Sequence, residues 1–329
     1  MIILYLFLLL ILGVFSYSQI DLNLTLLQQP WFLAFQHQMI SLGYFNRPLS
    51  TAIFSLLTLL LFIFYFLFIR RSEKLTTKTF VLGIFGLVIL GLLSYPAFSH
   101  DIFNYIFDAR VVVFHHANPY NTTALMFPQD TWTRFMQWTH RTYPYGPIWL
   151  PLSVVFYILG LNKFILTLFW FKAMIVGSFA GSAYLVYKLA GKKALAIFAF
   201  NPLIIYEMVV ASHLDGVMLF FALLAYFLYQ RKKITGIVSW LVSVGIKYAT
   251  SLTFPGLPLR WLIFFAYLGA MAQVIYRELL PHYFIVPLGF AALLPANKKL
   301  IWVGFILSLA FLLVRYLPFF YTGQWLKPY

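Results

Sequence analysis

A polytopic bundle of membrane-spanning helices is the fold this sequence predicts, on three observations. Hydrophobic residues make up 63% of the 329-residue chain and charged residues only 9%, more apolar surface than a soluble domain of this length can hide. The apolar runs are repeatedly long enough to cross lipid, which takes about 20 residues of helix. The net charge of +15 is concentrated in short connections between those runs. Orientation in a membrane produces that distribution, whereas nucleic-acid binding does not require it. The chain has no cysteine, which removes disulfides, thiolate metal sites and a cysteine nucleophile from consideration.

Taken in order, residues 2–19 and 50–69 read as spans, joined by a mixed interfacial segment from Trp31 to Arg47. The N-terminus is apolar from Ile2 with no Lys or Arg before it, unlike a cleavable signal, and is expected to be retained. Arg70, Arg71, Lys74 and Lys78 mark a cytoplasmic loop, so 79–97 runs outward and delivers Asp101 to the opposite face. The stretch 148–160 is too short to cross and is expected to form a re-entrant or juxtamembrane helix. Residues 163–188 then run inward to Lys188, Lys192 and Lys193, 194–211 run out, and 216–229 return to Arg231-Lys232-Lys233. A tight hairpin is expected at 234–259 with Lys247 near its outer end and Arg260 inside. Spans near 261–277, 283–296 and 300–318 complete a bundle of about eleven.

The one long polar passage runs from Ser99 to Pro147. It holds His100, Asp101, Asn104, Tyr105, Asp108 and Arg110, then Asn118-Pro119-Tyr120, and closes with Tyr143-Pro144-Tyr145-Gly146-Pro147. Three of the eight acidic residues (Asp101, Asp108, Asp130) lie in it. A loop of this length is kept only when it folds on something and has a use. Residues 101–116 read as a surface helix with Asp101, Tyr105 and Asp108 on one face, ended by Asn118-Pro119. On this topology Asp101, Asp108, Arg110, His213, Asp215, Lys247, Glu278 and His282 all come to the outer face, with Lys172 in the outer half of its span. Charge at membrane depth is costly, so such a set reads as functional.

The order of these parts resembles the GT-C superfamily of integral membrane glycosyltransferases, and within it the polyprenol-phosphate-mannose-dependent mannosyltransferases. The residues that carry the likeness are His100-Asp101-Ile102-Phe103-Asn104-Tyr105, Asn118-Pro119-Tyr120 and Tyr143-Pro144-Tyr145-Gly146-Pro147. Asn201-Pro202-Leu203 with Glu207, His213-Leu214-Asp215 and Gly245-Ile246-Lys247-Tyr248 extend it. The likeness implies one integral domain, with leading spans in 1–78, a GT-C-like catalytic module in 79–260 around the outer loop 98–147, and C-terminal spans in 261–329. It implies transfer of a hexose, mannose first, from a polyprenyl-phosphate sugar to an acceptor hydroxyl on a glycan or glycolipid, with inversion. It also implies a prokaryotic plasma membrane with the site on its extracytoplasmic side. Nucleic acid is not an expected partner; membrane lipid is. The chain departs from the family in being short after Lys247 and in carrying a lone Asp101 where some relatives have paired acids.

The chemistry asks for the same residue types. An acceptor hydroxyl must lose its proton as the phosphate leaves, and a carboxylate in hydrogen-bond reach can take it. Asp101 is the expected base, although Asp is also a common helix N-cap. Asp108 is expected to orient sugar or pair with Arg110. Fixed cations would stabilise the leaving phosphate, and Lys247, Arg110, Lys172 and Arg277 are the candidates in that order. His213 and Asp215 could bind sugar hydroxyls, as could His100, Asn104 and Asn118. Tyr105, Tyr120, Tyr143 and Tyr145 could stack on sugar faces. No cofactor is called for, no metal ligand is assigned, and a divalent cation is left open. The competing reading is a transporter or glycan flippase without transfer chemistry, for which the two related halves usual in transporters are not visible.

Overall fold

The computed structural model describes residues 1–325, and these form helices and turns with no strand among them. The expected first spans form α1 (Ile2–Ser16), α3 (Arg47–Arg70) and α4 (Thr77–Leu93), with α2 (Pro30–Ile40) in the interfacial segment between α1 and α3. Local capping explains the starts. The Asn46 side chain accepts from the Leu49 N–H ahead of α3, and the Thr76 hydroxyl accepts from the Thr79 N–H ahead of α4. Many large apolar side chains of α1, α3 and α4, among them Ile3, Leu4, Phe7, Leu59, Val81 and Phe85, stay exposed, as lipid-facing residues must.

The polar passage opens with α5 (Asp101–Val113), and the short apolar stretch after it forms α6 (Trp149–Leu159). The next element is α7 (Phe164–Ala199), broken at Gly191, whose φ of 80° is open to glycine but strained for other residues. The basic turn expected at 188–193 is thereby compressed to one residue. Lys192 Nζ reaches the Leu75 carbonyl at 3.3 Å, which ties this break to the loop before α4.

The expected span 194–211 is realised in two pieces. Asn201 caps α8 (Pro202–Ile204) by accepting from the Leu203 N–H, and the helix widens to a π-helical segment over Ile205–Val210. After the turn at 211–214, α9 (Asp215–Tyr229) leaves at 111° to the incoming arm. Helix α10 (Lys233–Ile246) pairs with α9, and the close packing needs Gly236, where a Cβ would sit 2.6 Å from the Tyr229 backbone. The expected hairpin at 234–259 is half helix and half irregular chain. Its return leg is held by Trp240 Nε1 on the Thr250 carbonyl (3.0 Å) and by the Ser243 and Thr250 hydroxyls (2.8 Å).

Then follow α11 (Leu259–Tyr276), the short α12 (Ile285–Ala291) and α13 (Lys298–Thr322), which ends at Gly323 in the left-handed region. Helices α3 and α13 pack through the stacked pair Phe54–Phe320 at 4.5 Å. Tyr65 and Thr58 of α3 hold the Ile197 carbonyl and the Tyr206 hydroxyl.

The helical membrane class is the one the sequence predicts, but the number of full-length helices is lower than eleven. Five helices are long and apolar enough to cross, six if the bent pair Pro202–Val210 and Asp215–Tyr229 is one span; α4, α6 and α10 are shorter apolar helices. The difference arises where α7 runs on through Gly191 as one bent helix, where Asn201-Pro202 breaks the expected span 194–211, and where the expected span 283–296 shrinks to a turn and α12.

Candidate functional site

The polar groups converge where α5, the 211–214 turn and the segment before α12 meet. Asp101 is the first residue of α5, after His100 at the N-cap, and its N–H donates to the Ser99 hydroxyl at 3.1 Å. The Asp101 carboxylate is thus free of capping and points at other groups. Trp138 Nε1 donates to its Oδ1 (3.2 Å), and His213 Nδ1 lies 3.3 Å from its Oδ2.

The His213 ring continues the line. Its Nε2 is 3.2 Å from Oε2 of Glu207, a fully buried carboxylate that also accepts from the Tyr316 hydroxyl. The His282 ring stacks on His213 with centroids 4.0 Å apart, and its Nδ1 lies 3.9 Å from Glu207. Backbone strain sets this geometry. Glu207 sits in the π-helical segment, whose extra residue per turn re-aims side chains. Ser212, one residue before His213, holds a φ of 61°. Burial works against an ionised Asp101, yet the His213 ring, the Trp138 N–H and the Lys247 ammonium hold its carboxyl below the usual carboxylate range.

A cavity of about 280 Å³ opens beside this cluster. His100, Asp101, Trp138, His213 and His282 line it together with Glu278, Arg315, Arg141 and Trp325. Arg315 is held by Glu278 at 3.3 Å and lies over the Trp325 ring at 4.7 Å. Such a site offers a carboxylate, imidazoles and fixed guanidinium groups around one volume, the set that proton removal and phosphate stabilisation need.

Other residues singled out in the sequence fall around this centre in two groups. His100 lines the cavity and faces Asp21 at 3.6 Å; Asn104, one turn along, reaches the Trp138 carbonyl at 3.4 Å. Lys247, half-buried, pairs with the buried Asp215 at 2.8 Å, with the ammonium over the Tyr283 ring at 4.9 Å. The closing motif docks onto that hairpin: the Gly146 N–H donates to the Ile246 carbonyl (3.0 Å) and the Ile148 N–H to the Gly245 carbonyl (2.8 Å). Tyr105 packs edge-on against Tyr145 and Trp149, and the Tyr143 hydroxyl closes the turn on the Gly146 carbonyl.

The second group lies off the cavity wall. The expected Asp108–Arg110 pair does not form. Positions two apart point to different sides of a helix, and Arg110 turns instead to Asp130, Tyr157 and Asn162. Lys172 is buried on the Val210 carbonyl (3.3 Å) and the Ser212 hydroxyl (3.4 Å), where it supports the strained turn. Arg277 is exposed at the end of α11. Asn118 accepts from the Tyr120 N–H and shapes the bend, and Tyr120 is exposed against Tyr143. The site also contains residues given no part by the sequence: Trp138, Arg141, Arg315 and Tyr316. Glu278 and His282 stood only in the set of outer-face charges and Glu207 only beside the Asn201-Pro202-Leu203 motif, whereas Arg315 and Tyr316 lie in an apolar run with no local signal.

A multi-helix membrane bundle with a carboxylate and cations around one cavity fits a membrane glycosyltransferase of the GT-C type. Residues 6–263 match the family model described as alpha-(1->6)-mannopyranosyltransferase, N-terminal domain, and the chain belongs to that family. No curated protein and no solved structure matches it. The family supports membrane mannosyl transfer, from a sugar donor to a glycan acceptor.

Proposed function

We propose that the chain transfers mannose from a polyprenyl-phosphate donor to a hydroxyl of a glycan or glycolipid, by inverting displacement, on the extracytoplasmic side of the plasma membrane. The observation that carries this reading is Asp101: uncapped, part-buried, and aimed by Trp138 and His213 at the edge of the cavity. In the reaction the acceptor oxygen attacks the anomeric carbon, the bond from that carbon to the phosphate oxygen breaks, and Asp101 takes the hydroxyl proton.

Negative charge grows on the departing phosphate. Arg315 and Arg141 on the cavity wall are placed to meet it, and Arg315 is fixed in advance by Glu278. Lys247 acts at one remove, since its ammonium is already committed to Asp215. The apolar outer faces of the bundle suit a donor whose lipid chain stays in the membrane. The test is transfer of labelled mannose from polyprenyl-phosphate mannose by the purified protein in liposomes, against a panel of glycan and lipid acceptors. Neither turnover nor binding of any lipid-phosphate sugar would remove the proposal and return the flippase reading.

A further inference from the structure

We infer that Asp101, His213 and His282 form a binding site for a divalent transition-metal ion, with Glu207 as the group that orients it. One ligand atom from each of the three residues lies within 4.8 Å of the others. Asp101 Oδ2 and His213 Nδ1 are 3.3 Å apart. Two ligands about 2.0–2.2 Å from one tetrahedral ion lie roughly 3.3–3.6 Å apart, so this spacing is the one shared coordination requires.

Hydrogen bonding alone leaves the cluster unsatisfied. His213 Nδ1 and Glu207 Oε2 are buried and meet ion-pair partners at 3.3 and 3.2 Å, but among the described residues neither makes a hydrogen bond of good geometry. His213 is only 2% exposed, and a nitrogen so poorly satisfied at that depth is costly. A metal ion on Nδ1 satisfies it. It also places the Nε2–H toward Glu207, 3.2 Å away, which is the carboxylate–histidine–metal relay that fixes a ligand tautomer. The Tyr316 hydroxyl holds the other Glu207 oxygen, so the relay is itself anchored.

Two imidazoles and one carboxylate are the donor set of three-ligand zinc sites that keep a fourth position open. All three residues line the cavity, so the open position faces the volume where the donor phosphate is proposed to sit. The existence of the ion site stands on geometry alone; its use in transfer rests on the proposed function.

The experiment titrates Zn²⁺ into chelator-stripped full-length protein in detergent, reading metal per chain by elemental analysis and affinity by calorimetry. One equivalent is expected for the wild type. His282→Ala is expected to weaken binding at least 100-fold, and Glu207→Gln about 10- to 100-fold, as loss of an orienting partner does. Since either variant can fold poorly, a Zn²⁺-dependent rise in the wild-type unfolding temperature is read in parallel. No saturable Zn²⁺, or wild-type affinity in His282→Ala, overturns the site. Transfer that survives stripping with no stoichiometric Zn²⁺ removes the ion and leaves the proposed function standing. One bound equivalent without transfer from any lipid-phosphate sugar does the reverse.

Discussion

Gly146→Ala tests how the polar passage is coupled to the Lys247 hairpin. A Cβ at this position would stand 2.2 Å from the Gly245 carbonyl oxygen and 3.0 Å from that of Ile246. Ordinary contact begins beyond 3.4 Å, so the two segments must part by roughly 1 Å. Both docking hydrogen bonds, Gly146 N–H to Ile246 and Ile148 N–H to Gly245, are lost or stretched, at about 1 kcal/mol each. Lys247 is the next residue, and a shift of about 1 Å at a reacting site costs on the order of 100-fold in rate. The assays are mannosyl transfer in liposomes and thermal unfolding in detergent, with Gly177→Ala as control because nothing lies within 4 Å of its Cβ. The expected result is a loss of about 2 kcal/mol in stability and a rate down by ten-fold or more in Gly146→Ala, with Gly177→Ala unharmed. Wild-type rate and stability in Gly146→Ala would refute the coupling.

Four further outcomes are expected. Arg315→Ala should raise the KM for the donor by about ten-fold or more, the cost of losing one hydrogen bond to a charged group; an unchanged KM would take the phosphate away from that wall. Lys172→Met should lower kcat while leaving donor affinity unchanged, because Lys172 holds the turn before His213 and does not line the cavity; a selective loss of donor binding would contradict that placement.

The polar passage should also depend on acid. Burial works against an ionised Asp130, yet Arg110, the Trp132 N–H and His115 hold its carboxyl below the usual range. Its contribution is therefore present above the unfolded value of about 3.9 and lost as pH falls through the lower folded value. Protection factors in 110–135, taken relative to the intrinsic exchange rate at each pH, should fall below about pH 4. Asp130→Ala should open this region at neutral pH, because the Arg110 guanidinium loses its carboxylate and keeps only the neutral acceptors Tyr157 and Asn162.

Much of the fold was legible because lipid imposes one rule: long apolar runs must be helices, and basic residues punctuate them. The rule fails where the backbone breaks a run without changing its hydropathy. Asn201-Pro202 does this inside 194–211, and the widened turn at 205–210 has no compositional signature. The site was half legible. Asp101, His100 and His213 stood out as polar residues in an apolar chain, and the geometry brings them together. Arg110 stood out equally, but its partner Asp130 lies 20 residues on, and only folding shows that the pair closes on itself. Arg315 and Tyr316 reach the cavity from α13, a contact between distant segments that no local pattern announces.

The most direct measurement compares wild-type and Asp101→Asn protein in matched liposomes supplied with labelled polyprenyl-phosphate mannose. Donor binding and mannosyl transfer are read on the same samples. The account predicts transfer or slow donor hydrolysis by the wild type, and loss of both in Asp101→Asn with donor binding retained. Transfer by Asp101→Asn at the wild-type rate would contradict it.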